Sequence, residues 1–204
     1  MDTKNKIIIS LLIFGALLFC TLQFIIIPAN KAKEEQYAYE QLEATTQDVN
    51  YILPFKNEYM GNNSNTVNLF KKLPLATAEM KFQLFSESLT VQIDYNDSLL
   101  NAAAESLQRK KADRVNDDLC YTEVKKSLIY NSTAAFALIN NLEHIIYHFT
   151  DVSYMVNRAD VEALYHDFDD ILNEMTWKHV VQNTLNDTNY LENTARELLK
   201  TINE

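Results

Sequence analysis

The chain has 204 residues, 47% of them apolar, and its 18 Lys and Arg stand against 28 Asp and Glu for a formal charge of -10. Only two glycines, Gly15 and Gly61, occur, which excludes the glycine-rich phosphate cradles, because these need two or three glycines close together. The acidic balance excludes a phosphate-backbone binder, so nucleic acid is not an expected partner.

After the short tip MDTKNK, no charged residue occurs from Ile7 to Ile27. At about 1.5 Å per residue this run reaches roughly 31 Å, close to the hydrocarbon thickness of a bilayer. Lys4 and Lys6 precede the run and predict a cytoplasmic N-terminus, while Lys31 and Lys33 after it weaken that bias. The segment reads as an uncleaved signal anchor: it is longer than the apolar core of a removable signal, and Ile27-Pro28-Ala29 is a poor cleavage site. Leu17-Leu18-Phe19-Cys20 offers a lipoprotein alternative with Cys20 lipidated, although Phe19 stands where a small residue is expected. Residues 1–30 are therefore tip and transmembrane anchor, with membrane lipid as the partner of the helix and the C-terminal part outside.

The part beyond Asn30 carries 16 basic and 27 acidic groups and reads as soluble. Its only cysteine is Cys120, so no internal disulfide supports it and stability must come from an apolar core. Residues 31–50 are polar and read as a stalk. Tyr51 to Phe55, with Pro54 inside, suits an edge strand, because proline cannot donate to a ladder.

Two later stretches look like copies of a helix-strand-strand unit. In the first, Asn62-Asn63-Ser64-Asn65 caps a helix with Val67, Leu69, Phe70 and Leu73 on one face. Met80, Phe82 and Leu84, then Leu89, Val91, Ile93 and Tyr95, alternate with polar residues as the arms of a hairpin. In the second, Asn131-Ser132 caps a helix, and Ile145, Tyr147 and Phe149, then Val152, Tyr154 and Val156, form the hairpin. Residues 97–119 between them read as one long connecting helix. The fold class expected for 51–175 is α+β: a two-layer domain with an antiparallel sheet built from the duplicated unit. From Asp160 onward the chain reads as mostly helical, and 176–204 as a helical extension.

Four histidines invite a metal site. On the expected strand, however, His144 and His148 lie roughly 13 Å apart, beyond two bonds to a common zinc. Asp167, Asp169 and Asp170 beside His166 lack the glycine of a calcium loop. No metal and no cofactor are expected. GxSxG, HExxH and CxxC are all missing. The turn Tyr59-Met60-Gly61-Asn62-Asn63-Ser64 is more informative: Gly61 is the sole glycine beyond the anchor and is expected at positive φ ahead of the helix. Tyr59, Gly61, Asn62, Asn63 and Ser64 are the candidate contacts for a ligand or partner.

The stretch Phe55 to Ser64 with Leu73-Pro74, and later Asn131 to Asn141 with Tyr154 and Arg158, resembles the bacterial domain of unknown function 4825, over roughly residues 51–175. Asn62 stands here in place of the aspartate that the resemblance implies. The resemblance implies an extracytoplasmic domain of Gram-positive bacteria, alone behind an anchor or attached to membrane sensors such as anti-sigma factors and metalloprotease-type receptors, and no known catalytic residues. The reading is a membrane-anchored binding or sensory module whose partner is an envelope or signalling protein. The alternative is a small envelope enzyme of hydrolytic or thiol chemistry.

Overall fold

The computed structural model describes residues 3–202, which fall into two compact units dividing after Tyr39. In the first, the chain is a single helix, Thr3–Glu40, long and apolar enough to cross a membrane. Its apolar stretch is apolar on every side, and Leu11, Phe14, Leu17 and Phe24 among others are exposed. The helix widens to π geometry at Leu22–Ile26, just ahead of Pro28. Proline has no N–H and crowds the carbonyl four residues back, and the wider turn relieves both problems.

The second unit starts with tight turns whose side chains are already core: Gln41, Ala44 and Gln47 are buried, although 31–50 is polar in sequence. Tyr51 to Phe55 is not an edge strand. Asp48 accepts a hydrogen bond from Asn50 N (2.8 Å) and starts the α-turn Val49–Ile52, which tightens to the 3-10 turn Leu53–Phe55. Val49 and Ile52 enter the core three residues apart, and Pro54 sits at the start of the second turn, where a missing donor costs nothing.

Five strands form one sheet in the order β1 (Lys81–Phe85), β2 (Thr90–Asp94), β3 (His144–His148), β4 (Ser153–Asn157) and β5 (Lys200–Ile202). Both expected hairpins are present, β1 with β2 and β3 with β4. The sheet is nevertheless mixed, because β2 and β3 run parallel. The connection between them passes through the helices Leu99–Arg109 and Asp117–Leu138, the long crossover that a parallel pair requires.

The expected duplication is not reproduced. The helix before the first hairpin, Asn63–Phe70, has 8 residues, and the one before the second, Asp117–Leu138, has 22. The long helix is capped by Asn116, which accepts from Leu119 N (2.9 Å), so Asn131 and Ser132 lie in its interior. They are buried, Asn131 Nδ2 donating to Pro74 O (2.8 Å) and Ser132 Oγ lying 3.0 Å from the Tyr147 hydroxyl. Residues that read as a cap by type are tertiary contacts by position. The single connecting helix expected over 97–119 is broken, ending at Arg109 and restarting at Asp117.

Period-two alternation places Val91, Ile93, Ile145, Tyr147 and Val156 on the face covered by the long helix, all at most 1% exposed. The opposite face, with Gln83, Gln92, Ile146 and Met155, stays partly open. After Asn157 the chain is mostly helical, and Val161, Ile171, Trp177, Leu185 and Leu198 complete the same core. It ends as a strand, β5, on β4.

That last strand is pinned by charge. The Asp160 carboxylate accepts hydrogen bonds from Lys200 and from Asn157 Nδ2, which together hold its pKa below the usual range, the Lys200 bond contributing most. A lowered carboxylate adds stability above its unfolded pKa of about 3.9 and loses it as pH falls through the folded value. Asp160→Asn is expected to lower stability at neutral pH by less than about 1 kcal/mol, because the pair is partly solvated. Urea midpoints for the two proteins should converge in acid below about pH 3.9; a gap that persists there would show that the charge is not responsible.

Candidate functional site

The two segments that carry the sequence motifs meet in space. Asn57 pairs with Ile139 as an isolated parallel bridge, Asn57 N donating to Leu138 O (2.8 Å) and Asn140 N to Asn57 O (3.1 Å). Asn141 Oδ1 accepts from Met60 N (2.7 Å), Thr66 Oγ1 donates to Met60 O (2.9 Å), and Asn65 Nδ2 donates to Phe55 O (2.6 Å). Arg158 closes the assembly from the end of β4. Its Nε and one terminal nitrogen donate to Leu142 O and Ile139 O, both at 2.6 Å, its other terminal nitrogen donates to Glu162, and its guanidinium lies over the Phe136 ring. This side-chain lattice fastens the loop 56–66 to the end of the long helix. Asparagine suits the task because one side chain offers both donor and acceptor to exposed backbone.

Beside the lattice opens a polar cleft of about 350 Å³ lined by Lys56, Asn140, Arg158, Glu162 and Asp169 among others. The sequence reading missed Lys56, Asn140 and Asp169 as neighbours, since they are distant in the chain and only the fold brings them together.

The candidate turn lies on the same loop. Tyr59 is 66% exposed, a large ring offered to solvent, and Gly61, Asn62, Asn63 and Ser64 are exposed beside it, while Met60 is buried. One detail differs from the sequence reading, and another is sharpened. Gly61 does not have positive φ, and a Cβ added there would meet nothing within 4 Å. The left-handed positions are instead Leu75, Leu89, Asn96 and Lys111. The helix cap is Asn62, whose side chain accepts from Asn65 N (3.4 Å), and Asn63 is the first helical residue.

Asn62→Ala should therefore cost up to about 1 kcal/mol. Gly61→Val and Asn63→Ala should each stay within about 0.5 kcal/mol of the parent. Urea unfolding followed by circular dichroism measures all three; a loss at Gly61→Val larger than at Asn62→Ala would restore the strained-turn reading.

His144 and His148 fall four apart on β3 as expected, on the open face of the sheet. Each bonds a neighbour on β4: His144 Nδ1 lies 2.9 Å from Asn157 Oδ1, and His148 Nδ1 lies 2.7 Å from Ser153 Oγ. Among the described residues no group of three or more His, Cys, Asp or Glu is arranged to hold a metal ion. The Cys120 thiol is buried, and burial, with Asp117 and Glu123 adding to it, pushes its pKa up, which disfavours the thiolate that thiol chemistry requires.

A family described as a domain of unknown function (DUF4825) matches residues 52–159. No curated protein and no solved structure matches the chain.

Proposed function

The chain belongs to the DUF4825 family, and from that premise we propose that it is a membrane-anchored binding or sensory module, its folded domain held outside the cell by a single spanning helix. The observation that carries this reading is the uncharged run Ile7 to Ile27 inside the helix Thr3–Glu40, whose apolar window is wholly unburied. An apolar helix of that length left without protein partners is stable in lipid and not in water. Lys4 and Lys6 before the run support a cytoplasmic N-terminus.

Protease added to intact protoplasts tests the orientation: the part after Asn30 should be digested and the anchor retained. Protection of that part would overturn the topology, and a mature N-terminus at Cys20 would establish the lipidated alternative in place of a spanning helix.

The partner is an envelope or signalling protein, and the surface it meets is the loop bearing Tyr59, Gly61, Asn62, Asn63 and Ser64. Support comes from the fastening of this loop to the family's second motif and from an aromatic ring displayed without a packing role. Rigid exposed tyrosines supply contact area at low entropic cost. Crosslinking in native membranes should capture a partner that Tyr59→Ala fails to hold while melting unchanged; equal capture by both would remove this surface from the reading.

A further inference from the structure

Away from that loop, a groove of about 240 Å³ runs between the long helix Asp117–Leu138 and the C-terminal helix Thr188–Leu198. Leu99, Val124, Ala195 and Leu199 make it largely apolar, and Tyr154 of β4 and Tyr121, itself 48% exposed, complete its lining. Neither tyrosine hydroxyl has a hydrogen-bond partner among the described residues.

Three charged side chains line the groove. Lys125 Nζ is held by both oxygens of Glu192 at 2.6 Å, so that pair is mutually neutralised. Arg196 follows Glu192 by four residues on the same helix face, is exposed, and has no hydrogen-bond or ion-pair partner among the described residues. The groove thus carries one uncompensated positive charge in a chain of net charge -10. Asp151, which acts electrostatically on Tyr154, accepts a hydrogen bond from Leu99 N at 2.9 Å. Burial, then Asp151 and Tyr121, push the Tyr154 phenol upward, so it remains a proton donor at neutral pH.

We propose that this groove binds a small amphipathic carboxylate, its tail against Leu99, Val124, Ala195 and Leu199 and its head on the Arg196 guanidinium with the tyrosine hydroxyls as further donors. An apolar site with a few convergent polar groups is the usual form of a small-molecule pocket, and a guanidinium offers a carboxylate two parallel bonds. At roughly 30 Å³ per small group, the space admits a ligand of about eight non-hydrogen atoms. The proposal rests on the binding reading above but not on the Tyr59 surface or on membrane orientation, so the two can fail separately.

Hexanoate is the probe, with acetate lacking the tail and hexanol lacking the charge. The full chain in lipid nanodiscs, labelled at alanine methyl groups, is titrated by NMR, with the buried Ala102 as internal control. Saturable shifts at Ala195 are expected with half-saturation on the order of 1 mM for hexanoate, and at about tenfold higher concentration for either control. Arg196→Gln should erase the preference for hexanoate over hexanol without changing the melting temperature. Absence of a saturable Ala195 response, equal response to acetate, or a preference that survives Arg196→Gln would each overturn the proposal. Capture of an apolar peptide by the groove in place of hexanoate would overturn it as well, in favour of a protein partner.

Discussion

Trp177→Ala is expected to lower the stability of the folded domain by about 3–5 kcal/mol, the range for emptying a large aromatic site. Trp177 is 1% exposed, its ring meets Tyr130 edge-on at 5.3 Å, and its Nε1 donates to the Tyr130 hydroxyl at 3.3 Å. Truncation leaves a cavity and removes a hydrogen-bond donor from a buried phenol that burial already keeps protonated. The result bears on domain limits, because Trp177 lies outside the matched residues 52–159. Urea unfolding by far-ultraviolet circular dichroism measures it. A loss below about 1 kcal/mol would mean that the segment after Asn157 packs too loosely to belong to the core.

Lys110→Met should cost about 3–5 kcal/mol through a different mechanism, the stranding of a buried charge. Lys110 bridges Glu123 and Glu43, the latter at 2.9 Å, and the Lys110 and Glu123 side chains are 9% and 5% exposed. Ser106 and Ser127 also donate to Glu123, at 3.0 and 3.2 Å, so the carboxylate is built into a hydrogen-bonded cluster. Without the ammonium, those hydroxyls cannot balance a full negative charge in a region of low polarity. Replacing both partners, Lys110→Met with Glu123→Met, should recover most of the loss, since an apolar pair of similar volume carries no desolvation penalty. A double variant as unstable as the single one would show that packing or Glu43, and not the buried charge, dominates. The cluster joins the turn at Glu43 to the helices Leu99–Arg109 and Asp117–Leu138.

The motifs turn out to be largely structural. Asn57, Asn65, Asn141 and Arg158 spend polar groups on backbone carbonyls and amides, which gives the asparagines near Gly61 a structural task. What the lattice leaves over is Tyr59, exposed, and the cleft beside Lys56 and Asn140. In that loop Gly61 needs no special φ, and of the expected capping stretch Asn62 to Asn65 it is Asn62 that accepts the cap hydrogen bond.

Much of this protein follows from local pattern alone. An uncharged run of 21 residues must be a helix in any apolar medium, since only internal hydrogen bonds can satisfy its backbone there. Alternation in 80–95 and 145–156 announces two hairpins because side chains on a strand change sides at every step, and one covered face then demands that pattern. Which way the hairpins abut was decided by the tertiary structure: the parallel join of β2 to β3 depends on how two helices cross the sheet, and no residue type encodes that path. The same holds for Asn131 and Ser132, typical capping residues that the fold uses as buried partners of Pro74 and Tyr147. It holds for Tyr51 to Phe55, where proline and apolar side chains fit an edge strand and a helical turn equally until Asp48 caps the turn and Ile52 finds the core. Short segments carry too little intrinsic preference to choose, so the contacts that bury them make the choice. The groove at Arg196 is the extreme case: its residues come from β4, from the start of the first crossover helix and from two other helices, and only their packing makes them neighbours.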